Sequence, residues 1–254
     1  MINVITGVRE TKGAPTQRPA VLTSSAPPLA PVGSAGAKNT RIDTCSTVKA
    51  LSGISRPEKD LVVWRRSIPS SISNWLEKIE PSQLPDFRIL VRPSDVRRAI
   101  EPQLNTNGMS STNEQNLFID DISNLVSVFA DITHSQFVDV RLDRISHDAC
   151  WKFHRDSVET RLLTTYVGPS TEWVDPAYAE QALQEQRDYE GPLERLGVND
   201  VAVFSGSLSK SGDGIVHRSP PIEGTKITRL LLCLNTQSIT SPEPWRAKTD
   251  LPTC

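Results

Sequence analysis

The sequence predicts an α+β protein in which helices come first and strands second, behind a disordered N-terminal tail. Three observations predict this. The first 57 residues are rich in Pro, Ser, Thr, Ala and Gly, apolar residues then recur at helical spacing, and a period of two begins at Val138. Helices followed by strands are typical of the α+β class, with a β-sandwich or barrel in the C-terminal half.

The tail is predicted from its composition. Residues 14–40 contain no aromatic side chain, so they cannot bury enough apolar surface to offset the entropy of ordering. We therefore expect residues 1–57 to be disordered, with a short docking element around residues 44–51. A single domain is expected over residues 58–237, with its barrel core at about 136–235, followed by a second tail over residues 238–254.

The helical half begins with a short apolar strand, Leu61 to Trp64. A helix follows over about residues 70–79, and a shorter one follows Pro93. The longest helix is predicted over residues 113–133, where one apolar stripe comprises Phe118, Ile122, Leu125, Val126, Phe129 and Ile132.

The second half alternates apolar and polar residues from Val138 to Asp143, which indicates a half-exposed strand. Further strands are predicted over residues 160–167, 171–174, 201–204, 215–217 and 227–234. One polar helical insert is expected at residues 178–187.

Composition and charge limit the classes of function. The 254 residues carry 28 Lys and Arg against 30 Asp and Glu, a net charge of −2 that argues against a nucleic-acid binder. No apolar run approaches the roughly 20 residues of a membrane span, and the N-terminus lacks the features of a secretory signal. The four cysteines form no CxxC pair, which predicts reduced thiols. We expect a cytoplasmic protein without a membrane or nucleic-acid partner; its oligomeric state stays open.

Two histidines and one aspartate are candidate metal ligands. His154 and Asp156 lie two residues apart, and on an extended strand such side chains point to the same face. His217 stands at a predicted strand end. Two imidazoles and one carboxylate on one face form the facial triad that holds Fe(II) and leaves positions open for co-substrate and O2.

Arg229 adds a candidate anion-binding residue twelve positions after His217. A cation in the apolar strand RLLLCL needs a buried or pocket-facing partner, and its planar fork suits a carboxylate. The order His-x-Asp, His, Arg resembles the double-stranded β-helix (jelly-roll or cupin-like) oxygenases. That resemblance implies Fe(II) as cofactor, 2-oxoglutarate as co-substrate bound by Arg229, and oxidation of an unknown small-molecule or side-chain substrate.

A closer resemblance covers residues 60 to 235. The segments HDACWKFHRD, RLLTTYVGPSTEWV, DVAVFSG, VHRSPPIEGT and RLLLCLN resemble the bacterial family catalogued as domain of unknown function 1826. The genes of that family often lie near zinc-responsive genes. The resemblance therefore implies a metal-linked role without specifying a reaction.

The residues leave alternatives open. The same pocket suits Zn(II), in a protein that handles metal without redox turnover, and a barrel without catalysis that binds a carboxylate or a partner is a third hypothesis. A rival zinc site would use His147, Cys150 and His154. Three further residues are candidates for lining the pocket: Arg161, Tyr166 and Trp173.

Overall fold

The computed structural model describes residues 41–106, 109, 112–209 and 212–247. Their helix and strand content confirms the α+β class. The helices are α1 (Ser70–Lys78), α2 (Val96–Thr106), α3 (Asn113–Thr133) and α4 (Ala179–Glu185). The strands are β1 (Ile42–Cys45), β2 (Leu61–Trp64), β3 (Phe87–Val91), β4 (Val138–Ile145), β5 (Thr160–Val167), β6 (Glu172–Trp173), β7 (Glu194–Arg195), β8 (Val201–Ser205), β9 (His217–Arg218) and β10 (Arg229–Thr236).

A seven-stranded sheet in the order β1-β2-β8-β5-β10-β4-β3 forms the centre of the fold. Only the pairing of β1 with β2 is parallel. Strand β10 is an interior strand of this sheet and pairs with β4 on one side and β5 on the other. It is buried along almost its whole length, which explains why it reads as a continuous apolar run rather than as an alternating one.

A smaller sheet, β7-β6-β9, lies on one side of the large sheet. An isolated bridge extends it, because His154 and His217 exchange backbone hydrogen bonds of 3.0 and 3.1 Å. This bridge places the two histidines side by side although 63 positions separate them in the sequence.

The large sheet is covered on both faces. Leu230, Leu232 and Leu234 belong to a buried cluster with the apolar stripe of α3, whereas Leu231 and Cys233 belong to a second cluster with Trp173 of the small sheet. Side chains of a strand alternate between faces, so one strand serves both cores. The result is three layers: helices, large sheet and small sheet.

The predicted disorder is wrong for residues 41–57, although the docking element expected around residues 44–51 is present. Strand β1 pairs with β2, and the 3-10 helix Val48–Ser55 buries Leu51 and Ile54 in the core on the helix side. A few apolar residues suffice here because they complete an existing sheet edge and core, which the average composition of the segment conceals. Residues 1–40 lie outside the described residues.

The predicted C-terminal tail is likewise wrong for residues 238–247, which pack on β3 and β4. The Trp245 backbone N–H donates to the Leu90 carbonyl at 2.7 Å, and the Ser241 hydroxyl donates to Asp139 at 2.7 Å. Residues 248–254 lie outside the described residues. Within the described part of the chain, no helix has the length and apolar character needed to cross a membrane.

Candidate metal centre

The structure brings His154, Asp156 and His217 together as the sequence predicts. One ligand atom from each side chain lies within 4.8 Å of the other two. Asp156 Oδ1 is 3.5 Å from His154 Nε2, and Asp156 Oδ2 is 3.3 Å from His217 Nε2. Among the described residues, no other group of three such side chains converges in this way.

Both imidazoles are oriented by backbone carbonyls. Nδ1 of His154 lies 2.8 Å from the Lys152 carbonyl oxygen, and Nδ1 of His217 lies 3.2 Å from that of Ile215. A carbonyl only accepts hydrogen bonds, so each Nδ1 carries a proton. Nε2 of each imidazole therefore faces Asp156, to which it donates when it carries a proton, and a bound cation would take the place of that proton, as in metal-bound histidines.

The two oxygens of Asp156 have different surroundings. Oδ1 accepts a 2.5 Å hydrogen bond from Nη1 of Arg161, whereas Oδ2 is buried and accepts none. Burial alone would raise the pKa of the carboxyl, but the adjacent imidazoles of His154 and His217 and the charge of Arg161 hold that pKa well below its usual range. Asp156 is therefore a carboxylate, with Oδ1 held by Arg161 and Oδ2 facing the imidazole of His217.

This ligand set fits a single divalent cation. Two imidazole nitrogens and one carboxylate oxygen suit Fe(II) or Zn(II) and leave coordination positions open. Oδ2 of Asp156 is the atom that a cation would satisfy, because it is buried and anionic, accepts no hydrogen bond and has an imidazole nitrogen 3.3 Å away.

A cavity of about 290 Å³ opens beside the cluster, with His154 and His217 in its wall. Its other surfaces fall into three parts. Apolar side chains include Leu163 and Leu231, hydroxyl groups come from Thr171 and Ser219, and the charged part consists of Asp86, Arg141, Asp143, Arg144 and Arg161.

Arg229 is fully buried behind Ser219. Its Nε donates to the Pro169 carbonyl at 2.7 Å and its Nη1 donates to the Ser219 hydroxyl at 2.7 Å. Nη2 is buried without a partner, and Arg229 forms no salt bridge within the described chain. Burial lowers the pKa of Arg229 to about 10. Arg229 is therefore a buried cationic donor without an anion in the described chain, placed behind the cavity wall and not in it.

The turn before β6 allows this close packing over Arg229. Gly168 has φ of +81°, and a Cβ there would lie 2.8 Å from the Thr228 carbonyl oxygen and 3.1 Å from Cγ of Arg229. Glycine tolerates both the backbone angle and the close approach, so the Pro169 carbonyl can reach the guanidinium.

The structure places the three predicted pocket residues in different surroundings. Arg161 lines the cavity. Trp173 is buried in the core between the two sheets and is not part of the cavity wall. Tyr166 faces the helices, where its hydroxyl donates to Asp121 at 2.6 Å, so its assignment to the pocket is wrong. Five positions separate Tyr166 from Arg161, and an odd separation on a strand places side chains on opposite faces.

The rival zinc site is also wrong. His147 and Cys150 lie in the wall of the same cavity as His154, but the three do not converge as a ligand group. The chain between β4 and β5 contains no helix that would gather residues spaced by three and four. His154 is instead turned toward Asp156.

Ser219 and Asn235 were missed in the sequence. Ser219 binds Arg229, and Asn235 accepts a 2.8 Å hydrogen bond from Nε of Arg161. Both follow a recognised residue at an even separation, Ser219 two after His217 and Asn235 six after Arg229. Same-face alternation along β10 was the signal that would have identified Asn235, whereas Ser219 lies just beyond the two-residue strand β9 and had no such signal.

Fold and site together define an α+β protein with a two-histidine, one-carboxylate cluster beside a cavity. Residues 45–235 match the family described as "Protein of unknown function (DUF1826)", and the chain belongs to that family. No curated protein matches the chain in sequence.

Several solved structures are similar over most of their length. Dioxygenase for auxin oxidation 1 from Arabidopsis thaliana, as its 2-oxoglutarate complex, is 8% identical with a TM-score of 0.47 and covers 80% of this chain and 95% of its own. A prolyl-4-hydroxylase from Pseudomonas putida is 8% identical with a TM-score of 0.40, covering 75% and 99%. A full-length Neurospora crassa protein in complex with alpha-KG and thymine is 8% identical with a TM-score of 0.41, covering 81% and 87%.

Proposed function

We propose that this protein is a mononuclear Fe(II)- and 2-oxoglutarate-dependent oxygenase that acts on an unidentified small molecule or side chain. Its two sheets would be the major and minor sheets of a double-stranded β-helix. One observation carries the proposal: the buried atoms without a hydrogen-bond partner in the described chain include two of opposite charge near the cavity, Oδ2 of Asp156, which faces Nε2 of His217 at 3.3 Å, and Nη2 of Arg229. The first needs a cation and the second needs an anion.

At the cation end, His154, His217 and Asp156 would hold Fe(II). The two carbonyl-bound imidazoles are already oriented with Nε2 toward the site, and Asp156 is already ionised. Little rearrangement is needed on binding, which favours affinity because the ordering cost is met during folding.

At the anion end, Arg229 would bind the far carboxylate of 2-oxoglutarate. A guanidinium in a dry environment forms strong charge-assisted hydrogen bonds to a carboxylate. Nη2 is free for such a bond, and the Ser219 hydroxyl that holds Nη1 is itself part of the cavity wall. Ser219 thus positions Arg229 and offers a second polar group at the same end.

Fe(II) and 2-oxoglutarate, when both are bound, supply O2 activation, in which one oxygen atom enters succinate as CO2 is lost and the other enters the substrate. The residues of this chain bind and orient these groups. Leu163 and Leu231 in the cavity wall limit water near the ligands. The charged side chains Arg141 and Asp143 would face the substrate.

The test is succinate formation from 2-oxoglutarate by purified protein supplied with Fe(II) and O2. We expect succinate that requires all three components and is lost in Asp156→Ala. His147→Gln is the matched control, because it removes an imidazole from the cavity wall without removing a ligand of the proposed triad.

The outcomes separate the hypotheses. Tight Zn(II) binding that depends on His154, with no succinate formed under any condition, would refute the oxygenase and favour a metal-handling protein. Loss of metal in His147→Gln would instead restore the rival site formed with Cys150.

A further inference from the structure

Arg161 links the proposed metal ligand Asp156 to the large sheet. Its Nη1 donates to Asp156 Oδ1 at 2.5 Å, and its Nε donates to Asn235 Oδ1 at 2.8 Å. Asn235 lies directly opposite Arg161 in the pairing of β10 with β5, and its side chain is buried. The guanidinium of Arg161 is therefore held by two hydrogen bonds, one to Asn235 of β10 and one to the proposed ligand Asp156.

We propose that Arg161, aimed by Asn235, is a positioning residue that occupies Oδ1 of Asp156 and reserves Oδ2 alone for the metal. The inference rests on the proposed function, because it requires the triad to be a metal site. In this role Arg161 and Asn235 act through the ligand Asp156 and contact neither the metal nor the co-substrate.

The physical reason lies in the two oxygens of a carboxylate. A free carboxylate can bind a cation through one or both oxygens. With Oδ1 held by Arg161, Asp156 supplies a single oxygen, so the triad occupies three positions and leaves the others open. An Asp156 that bound through both oxygens would take one of the positions needed by co-substrate and O2.

A simple charge effect makes the opposite prediction. Arg161 is a cation next to the metal site, so by electrostatic repulsion alone its removal would tighten the binding of a divalent metal. If Arg161 instead positions Asp156, its removal weakens binding, because the ligand loses its fixed orientation. Replacement of Asn235 distinguishes the charge effect from the positioning role further, because it removes the hydrogen bond that holds Arg161 and leaves every charge in place.

The experiment is a titration of the metal-free full chain with Co(II), a redox-stable substitute for Fe(II), followed by visible absorbance. We expect Arg161→Ala and Asn235→Ala to weaken Co(II) binding by about 10- to 100-fold, the usual effect of losing a group that orients a ligand. The Co(II) absorption band should also change intensity, because Asp156 is free to use both oxygens. Arg161→Lys keeps the charge but cannot span both partners, so binding should also weaken.

Arg141→Ala is the matched control. Arg141 lies in the same cavity wall and carries the same charge, but its partner is Asp143 and it does not contact Asp156. Its Co(II) affinity should stay within about twofold of wild type. Urea midpoints of all variants establish that each is folded when the titration is made.

Binding by Arg161→Ala or Asn235→Ala that equals or exceeds wild-type affinity would overturn the inference while leaving the metal site intact. Failure of the wild type to bind Co(II), or binding that survives His154→Ala, would overturn the proposed function and this inference with it.

Discussion

We predict that Arg229 contributes to ligand binding but adds little or nothing to the free energy of unfolding of the ligand-free protein. It is fully buried, donates two hydrogen bonds, and has no carboxylate partner in the described chain. Replacing it by Met keeps the volume and removes the charge. We predict that Arg229→Met changes the free energy of unfolding of the ligand-free protein by less than about 1 kcal/mol.

The magnitude follows from two opposing terms. Burial lowers the pKa of Arg229 from 12.5 to about 10, and at about 1.4 kcal/mol per pKa unit this is a penalty of roughly 3 kcal/mol for the charged form. The penalty exists at every pH below about 10, where the folded protein keeps the charge. Removal of the side chain relieves it but forfeits two charged-donor hydrogen bonds, worth about 1.5 kcal/mol or more each. The terms nearly cancel.

Urea unfolding followed by tryptophan fluorescence gives the required free energies. The matched control is Arg66→Met, because Arg66 is also buried but is paired with Asp121 through Nη1 and Nη2 at 2.5 and 2.9 Å. Its loss leaves Asp121 without its cation and should cost about 3–5 kcal/mol.

Ligand addition completes the test. For the metal-loaded wild type, 2-oxoglutarate at 100 times its Kd should add about 2.7 kcal/mol of stability, and the same concentration should add nothing to Arg229→Met. If Arg229→Met were destabilised as strongly as Arg66→Met, and 2-oxoglutarate stabilised neither or both proteins equally, Arg229 would be a structural residue and the reasoning would be refuted.

Three further predictions concern the thiols, the support of Asp156 and the N-terminal boundary. Burial raises the pKa of the Cys233 thiol from 9.0 to about 11, so alkylation of the native protein at pH 8, mapped by mass spectrometry, should modify the exposed Cys150 and spare Cys233. Because the native state holds this proton more tightly, the stability of the wild type relative to Cys233→Ala should fall by about 1 kcal/mol between pH 8 and pH 10; a constant difference would contradict this. Gly206→Ala would place a Cβ 2.7 Å from the Asp156 carbonyl oxygen and closer still to that of Val158, so it should cost at least 1–3 kcal/mol in urea unfolding and weaken Co(II) binding. If residues 41–57 belong to the fold, Leu51→Ala should lower the free energy of unfolding by about 2–5 kcal/mol, whereas Lys49→Ala, at an exposed position, should change it by less than about 0.5 kcal/mol. Equal effects of the two substitutions would contradict the assignment of this segment to the folded domain.

Part of the candidate site could be predicted because local rules fix it. His154 and Asp156 share a face through strand alternation, and a buried cation such as Arg229 in an apolar strand signals a binding role. The α+β class followed from the change of period near Val138. These inferences use near neighbours in the sequence, where backbone geometry leaves few choices.

Features that depend on pairing between distant segments could not be predicted. The contact of Arg161 with Asn235 requires the register of β10 on β5, which no local pattern specifies. The two-residue strands of the small sheet are too short to show a period. Leu51 is buried because α3 and the sheet offer it a core, and that contact joins segments that are far apart in the sequence.

The most direct test of the proposed site is an anaerobic titration of metal-free protein with Fe(II) and then 2-oxoglutarate, followed by visible absorbance. We predict a weak charge-transfer band that appears only when both are present, vanishes in His154→Ala and weakens in Arg229→Met. The absence of a band in a wild-type protein that binds Zn(II) tightly through His154 would contradict the oxygenase and leave a metal-binding protein without this chemistry.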